Sequence, residues 1–208
     1  MIRVLVVDDH PAVLAGLLAI LNREVGIAPS GTARNAQEAL DEALRLRPDL
    51  VLTDFQLLDG DGLSLCRMLK ALSDPPCVLL YSACADEKLT VAALVAGAEG
   101  VVGKARPVDD LLEAIRQAAR GELVLPQVPQ SVLASASRGL DPTDMPIFGM
   151  RVARTPVPEI AETLGLDPDE VEWRIDLMLA GFRRDLHGTD GASPQPLDYG
   201  SRGIAEAG

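Results

Sequence analysis

Over the first 120 residues, short apolar runs alternate with stretches whose apolar positions recur every three or four residues. The runs at 3–7, 50–53, 77–82 and 100–102 predict strands, with a weaker candidate at 27–30. The periodic stretches at 11–22, 36–46, 62–72, 86–96 and 107–120 predict helices. Strand and helix in strict alternation imply βαβ units, hence a five-stranded parallel, doubly wound α/β sheet. The strands are apolar almost throughout, as burial on both faces requires. In such sheets the chemistry gathers at the carboxyl ends of the strands.

Beyond Gly121 the pattern loosens. Two prolines and four serine or glycine residues fall within 125–139, so 123–139 is expected to be a linker or a weak helix. Residues 140–187 carry helical pattern alone and predict a small all-α unit. Within it, Asp167-Pro168-Asp169-Glu170 is a helix start, with an N-cap Asp, a Pro at the first position and a Glu three after the cap. Val171, Ile175, Met178, Leu179 and Phe182 then form an apolar stripe. The preceding short helix, from Glu159, is stopped by Gly165, so the pair predicts a helix-turn-helix. The Gly- and Pro-rich stretch 188–208 is expected to be a disordered tail.

Composition narrows the class. At 48% hydrophobic and 24% charged residues, the chain reads as a globular protein with a buried core. Its net charge of −12 argues against a protein that coats polyanions, because nonspecific affinity for nucleic acid comes from cations displacing counterions. Cys66, Cys77 and Cys84 lack metal-ligand spacing and are expected as reduced thiols packed like small apolar groups. Met1-Ile2-Arg3 runs directly into a strand, so no leader is expected. The longest apolar run, 12–21, is about half of the ~20 residues that span a bilayer. A cytoplasmic protein without membrane contact is the expectation.

The candidate chemistry lies at the predicted strand ends. The first strand ends in Asp8-Asp9, the third in Asp54, the fourth in Ser82, and the fifth just before Lys104. Three carboxylates at one rim repel unless a cation joins them, and hard oxygen ligands suit Mg2+. A hydroxyl and an ammonium beside them can hold phosphoryl oxygens, which points to in-line transfer onto a carboxylate. A phosphate-binding loop is excluded, because Ala98 stands where that motif needs Gly and Ala105 where it needs Ser or Thr.

Residues 1–122 resemble the receiver domain of bacterial two-component response regulators. The resemblance rests on Val6-Val7-Asp8-Asp9-His10-Pro11, Thr53-Asp54 followed by Asp61-Gly62, Ser82-Ala83, Gly97-Ala98 and Lys104-Ala105-Arg106-Pro107. It implies a flavodoxin-like fold, Asp54 as phosphoacceptor, and Mg2+ held by Asp8, Asp9, Asp54 and the backbone carbonyl of Gln56. It also implies Ser82 as the switch hydroxyl, Lys104 as partner of the phosphoryl group, and a sensor histidine kinase as donor. No enzymatic activity beyond the receiver's own phosphotransfer and dephosphorylation is implied. Three positions depart from the family pattern. Leu58 replaces a common Pro and Gly60 a common apolar residue, so a more mobile loop is expected. Val101 stands where many receivers carry the aromatic that swings inward. The surface of the fourth helix, fifth strand and fifth helix offers a homodimer face, with Asp109, Asp110, Glu113 and Arg116 as polar candidates.

Residues 140–182 resemble the LuxR-type output domain of NarL/FixJ response regulators, through Leu140-Asp141-Pro142, Glu159-Ile160-Ala161, Leu164-Gly165-Leu166 and Val171. The second helix would then lie in the major groove, with Glu170, Glu172, Arg174, Arg183 and Arg184 as candidate DNA contacts. Its exposed side is read as Asp169, Glu170, Glu172, Arg174 and Asp176. Residues 172 and 181, typically basic in the family, are Glu and Gly here, and 140–187 holds ten acidic residues against five basic ones. Pro146, as fifth residue of the first output helix, is expected to interrupt it. The family's fourth output helix would begin near residue 190, where no helical pattern is visible. Two readings follow: transcription control through DNA, or a degenerate output unit that binds protein. Arg151, Arg154, Arg174, Arg183 and Arg184 discriminate them. Clustered on the exposed side of the second helix they favour DNA; scattered, they favour protein.

Overall fold

The computed structural model describes residues 1–124 and 128–187. The expected tail at 188–208 and the absence of a helix near 190 lie outside the described residues. Five strands, β1 (Ile2–Val7), β2 (Ile27–Ala33), β3 (Leu50–Asp54), β6 (Cys77–Ser82) and β7 (Gly100–Gly103), form one parallel sheet in the order β2-β1-β3-β6-β7. Connecting them are α1 (Pro11–Leu21), α2 (Ala36–Leu46), α3 (Gly62–Lys70) and α4 (Glu87–Ala96), with α5 (Val108–Ala119) following β7. The strand order reverses direction between β1 and β3, the place where ligands bind in sheets of this type.

Two apolar cores flank the sheet. One lies under α1 and α5, around Leu17, Leu21, Leu111 and Ile115. The other lies under α2, α3 and α4, and it continues without a break into Ile147, Phe148, Ile160, Val171, Ile175 and Leu179. The reason is visible in α4, whose residues from Leu89 to Ala96 are all buried. A helix apolar on every side must be covered on every side. The sheet covers one face of α4, and helices α6 (Gln130–Ser137), α7 (Met145–Val152) and α9 (Pro168–His187) cover the other.

Local sequence sets the helix ends. Asp61 and Asp86 accept backbone N–H bonds at the starts of α3 and α4, and Gly97, at φ +95°, closes α4. Helix α8 (Val157–Leu164) ends on Gly165 at φ +65°, and Asp167 Oδ1 accepts the Asp169 N–H at 2.9 Å to start α9. Among the described residues no helix is long and apolar enough to cross a membrane.

Two expectations, for Pro146 and for Cys84, need amendment, and two stretches gain detail. The interruption expected at Pro146 does not occur: α7 starts at Met145, which puts Pro146 in the first turn, where its missing N–H has no helical acceptor to serve. The loop at 56–61 is closed by a short antiparallel pair, β4 (Gln56–Leu57) with β5 (Gly60–Asp61). Within 123–139, residues 130–137 form α6, and Val124 joins the sheet edge at Gly100. Cys66 is packed as an apolar group and burial pushes its thiol pKa up to about 12, but Cys84 is exposed.

Candidate functional site

Strand register brings the polar groups to one level. Val7 pairs with Thr53, Asp54 with Tyr81, and Ser82 with Gly103, so the residues ending β1, β3, β6 and β7 share one rim. Lys104 Nζ bridges two of the carboxylates, donating to Asp8 Oδ2 at 2.7 Å and to Asp54 Oδ2 at 2.6 Å. Burial opposes its charge, but the hydrogen bonds and charges of Asp54 and Asp8 outweigh that and raise the Lys104 pKa. Lys104 also sits 5.7 Å from the Tyr81 ring centroid, on its face. Asp8, Asp54 and Ser82 are buried. The Ser82 hydroxyl both donates to the Cys84 carbonyl and accepts from its N–H, each at 3.2 Å.

The acidic side of the rim fits a cation. Ligand atoms of Asp8, Asp9, His10 and Asp54 all lie within 4.8 Å of one another. Asp9 Oδ1 is buried and makes no aligned hydrogen bond, its near neighbour being His10 Nδ1, and a cation would satisfy it. Three carboxylates face one ammonium, so the excess negative charge matches a hard divalent ion. His10 has an exposed side chain with Nδ1 2.5 Å from Asp9 Oδ1. Gln56 N–H points back to Asp54 Oδ1 at 3.4 Å. Gly62 is needed beside Asp54, since a β-carbon there would stand 2.5 Å from the Asp54 carbonyl oxygen.

A cavity of about 360 Å3 opens over Asp54, Ser82 and Lys104, and Leu186 near the end of α9 lines it. Arg183 on the same helix holds its Nε 2.9 Å from Asp61 Oδ2, an ion pair without hydrogen-bond alignment. Helix α9 therefore reaches the cavity over Asp54. Neither residue's role was visible in sequence, where both read as part of an isolated helix-turn-helix.

The supposed exposed side of α9 is only partly so. Glu172 pairs with Arg67 of α3, and Arg67 Nε donates to Asp176 Oδ1 at 3.1 Å. Arg174 donates to Glu170 at 2.6 Å and lies 3.3 Å from Asp144. Free surface instead falls to Asp169, Trp173 and Leu177, with the two apolar side chains 62% and 54% exposed. The five discriminating arginines scatter. Arg151 is buried against the Val95 carbonyl, Arg154 pairs with Glu99, Arg174 and Arg183 are paired as above, and Arg184 is exposed. The α5 candidates Asp109, Asp110 and Glu113 are exposed and Arg116 half-buried; Asp110 pairs with Arg106, and Arg116 with Glu24 and Glu113.

Comparison with known proteins places these features. Residues 4–116 match the family model described as the response regulator receiver domain, more than half of the chain. The nitrate/nitrite response regulator protein NarL of Escherichia coli K12 is 29% identical over 187 residues, covering 85% of this chain and 87% of NarL. The DNA-binding transcriptional activator DevR/DosR of Mycobacterium tuberculosis is 32% identical over 151 residues, covering 72% of this chain and 69% of that protein. Among solved structures, the RcsB response regulator of Salmonella typhimurium superposes with a TM-score of 0.56 over 90% of this chain and all of its own; at 20% identity the likeness is one of fold.

Proposed function

We propose that this chain, which belongs to the response regulators of two-component systems, regulates transcription by accepting a phosphoryl group on Asp54 and answering through α9. The observation that carries the reading is the Lys104 ammonium bridging Asp8 and Asp54 at the switch point of the sheet. An Asp54 carboxylate oxygen attacks the phosphorus of a phosphorylated sensor histidine kinase, and the bond from phosphorus to the kinase's histidine nitrogen breaks. Lys104 and Ser82 counter the charge on the transferred oxygens. Ser82 must exchange its Cys84 bonds for a phosphoryl oxygen to do so. Asp8, Asp9 and Asp54, with the Gln56 carbonyl, would hold Mg2+, which supplies charge neutralisation at the phosphoryl oxygens when bound. The remaining chemistry is hydrolysis of the same acyl phosphate, and a cytoplasmic site of action follows from the intracellular donor.

Within this reading residues 1–122 are the receiver, 123–139 connect, and 140–187 are the output unit. DNA is the ligand proposed for α8 and α9, with Arg184 as the readily available cation, and α5 as the face for a homodimer on activation. A second reading, an output unit that binds protein, is favoured by the scatter of the five discriminating arginines and by the exposed Trp173 and Leu177 beside Asp169 and Asp176. The test is promoter-DNA binding measured against salt, with and without acetyl phosphate and Mg2+. Binding that weakens with salt and tightens on phosphorylation is expected. If neither state binds in a salt-dependent way, the DNA reading is lost and the protein-partner reading stands. Asp54→Asn must abolish labelling by acetyl phosphate.

A further inference from the structure

A hollow of about 160 Å3 lies between α3, α4 and the end of α7, and Arg67, Lys70, Arg151 and Arg154 line it together with one carboxylate, Glu99. Four cations around one small space are unlike the rest of a chain whose net charge is −12. Glu99 cannot neutralise them. Its two oxygens already accept from Lys70 Nζ at 2.8 and 2.9 Å, from Arg154 Nη2 at 3.2 Å and from the Val78 N–H at 2.6 Å. Arg67 turns its head to the rim, toward Glu172 and Asp176.

Two guanidinium groups are left underused. Arg151 is buried, and its Nε and Nη1 donate only to the neutral carbonyls of Val95 and Thr155, at 3.0 and 3.1 Å. Arg154 Nη1 is buried with no hydrogen-bond partner, and Arg154 holds a left-handed backbone at φ +67°. Unpaired cationic donors are costly to bury, so a hollow that keeps them is built for a charge it does not itself supply. Burial first, and then the charge of Arg67, push the Arg151 pKa down to about 10, a repulsion that an anion would relieve. The volume is well below the roughly 300 Å3 at which sites for drug-sized molecules begin. It suits a single tetrahedral head group, and the guanidinium fork matches oxyanion geometry in two-pronged bonds.

We propose that this hollow is a binding site for a phosphoryl-type oxyanion, either inorganic phosphate or the head of a small phosphate monoester, held by Arg151 and Arg154 with Lys70 and Arg67 beside them. The anion bridges the output helix α7 to α3 and α4 of the receiver, and so tightens the docking of one on the other. It is separate from the acceptor rim, and it stands whether or not Asp54 is phosphorylated.

The test uses the full chain, nitrogen-15 labelled, titrated with inorganic phosphate at ionic strength held constant with potassium chloride. The arginine Nε–Hε resonances of Arg151 and Arg154 should move along one saturating curve, and the melting temperature should rise. Glycerol phosphate in a parallel arm distinguishes the two sources: saturation by both identifies a monoester-accepting site, and saturation by inorganic phosphate alone a closed one. Arg154→Asn removes the cation where a left-handed backbone suits Asn, so folding is retained, and binding should weaken about tenfold or more. Lys104→Met, which disables the acceptor rim, should leave the Arg151 and Arg154 shifts in place. Shifts that do not saturate, that chloride reproduces, or that persist at full strength in Arg154→Asn would overturn the proposal.

Discussion

Replacing Arg67 with Met should undock α9 and speed phosphorylation of Asp54. Arg67 sits on α3 with its side chain 10% exposed, while its partners Glu172 and Asp176 are 36% and 58% exposed. Met keeps most of the aliphatic stem that packs under α9 and removes only the charge. Exposed ion pairs contribute about 0–1 kcal/mol each, and one well-buried partner places this pair of contacts at the upper end, so a total of about 1–2 kcal/mol is lost. That loss multiplies the population with α9 released by about 5- to 30-fold. Leu186 at the far end of the same helix lines the cavity over Asp54, so release opens the acceptor to small donors. The assay is the rate of phospho-Asp54 formation from acetyl phosphate, with Trp173 on α9, the chain's one tryptophan, as a fluorescence reporter of undocking. Glu172→Gln with Asp176→Asn removes the same contacts from the other side, and its effect should not add to that of Arg67→Met. An unchanged rate, in a variant whose melting temperature has fallen, would refute the link between docking and access.

Other consequences can be measured directly. Ile175→Ala, which empties a fully buried position in the core shared by α4 and α9, should cost about 2–5 kcal/mol in denaturant titration, with one cooperative transition before and after the change. Gly97→Ala should destabilise by roughly 1–3 kcal/mol, because φ is +95° and the new β-carbon would stand 2.6 Å from Arg151 Nη2. In native protein a thiol reagent at neutral pH should label Cys84 and spare Cys66 and Cys77, whose pKa values burial raises. The same burial gives a pH dependence. The folded Cys66 thiol holds its proton to about pH 12, whereas an ordinary thiol loses it near 9.0, so its share of stability is complete below that pH and is lost between the two. Cys66→Ala should flatten this alkaline decline.

The acceptor rim was legible because each of its residues follows an apolar run, and parallel strands in register end together. Asp8, Asp9, Asp54, Ser82 and Lys104 could therefore be placed at one edge from spacing alone. The helix-turn-helix was legible for a similar reason, since Gly165 and Asp167 are local signals for where one helix stops and the next starts. What escaped was everything that depends on contact between distant parts of the chain. Arg67 and Asp176 are 109 positions apart, and no periodicity announces that they meet. One long-range signal was present and went unused. The stretch from Leu89 to Ala96 has no polar face, and a helix on the outside of a sheet needs one unless something lies over it. The interruption expected at Pro146 rests on a helix start three residues before the observed one. Moved to Met145, the same proline is in a tolerated position.

The geometry also bears on Val101. That residue lines another cavity, of about 490 Å3, bounded also by Thr90, Arg106, Asp110 and Val124. The cavity over Asp54 is lined instead by Leu186, and α9 is held by the pairs of Arg183 with Asp61 and of Arg67 with Glu172 and Asp176. In this chain Asp54 and α9 touch a common space directly. Val101 lines no part of it. A receiver that passed its state outward only through an inward-swinging aromatic would be disabled by valine at 101. Asp61, the residue that caps α3 just beyond the loop after Asp54, is itself the partner of Arg183, so a direct contact between that loop and α9 exists that does not involve position 101.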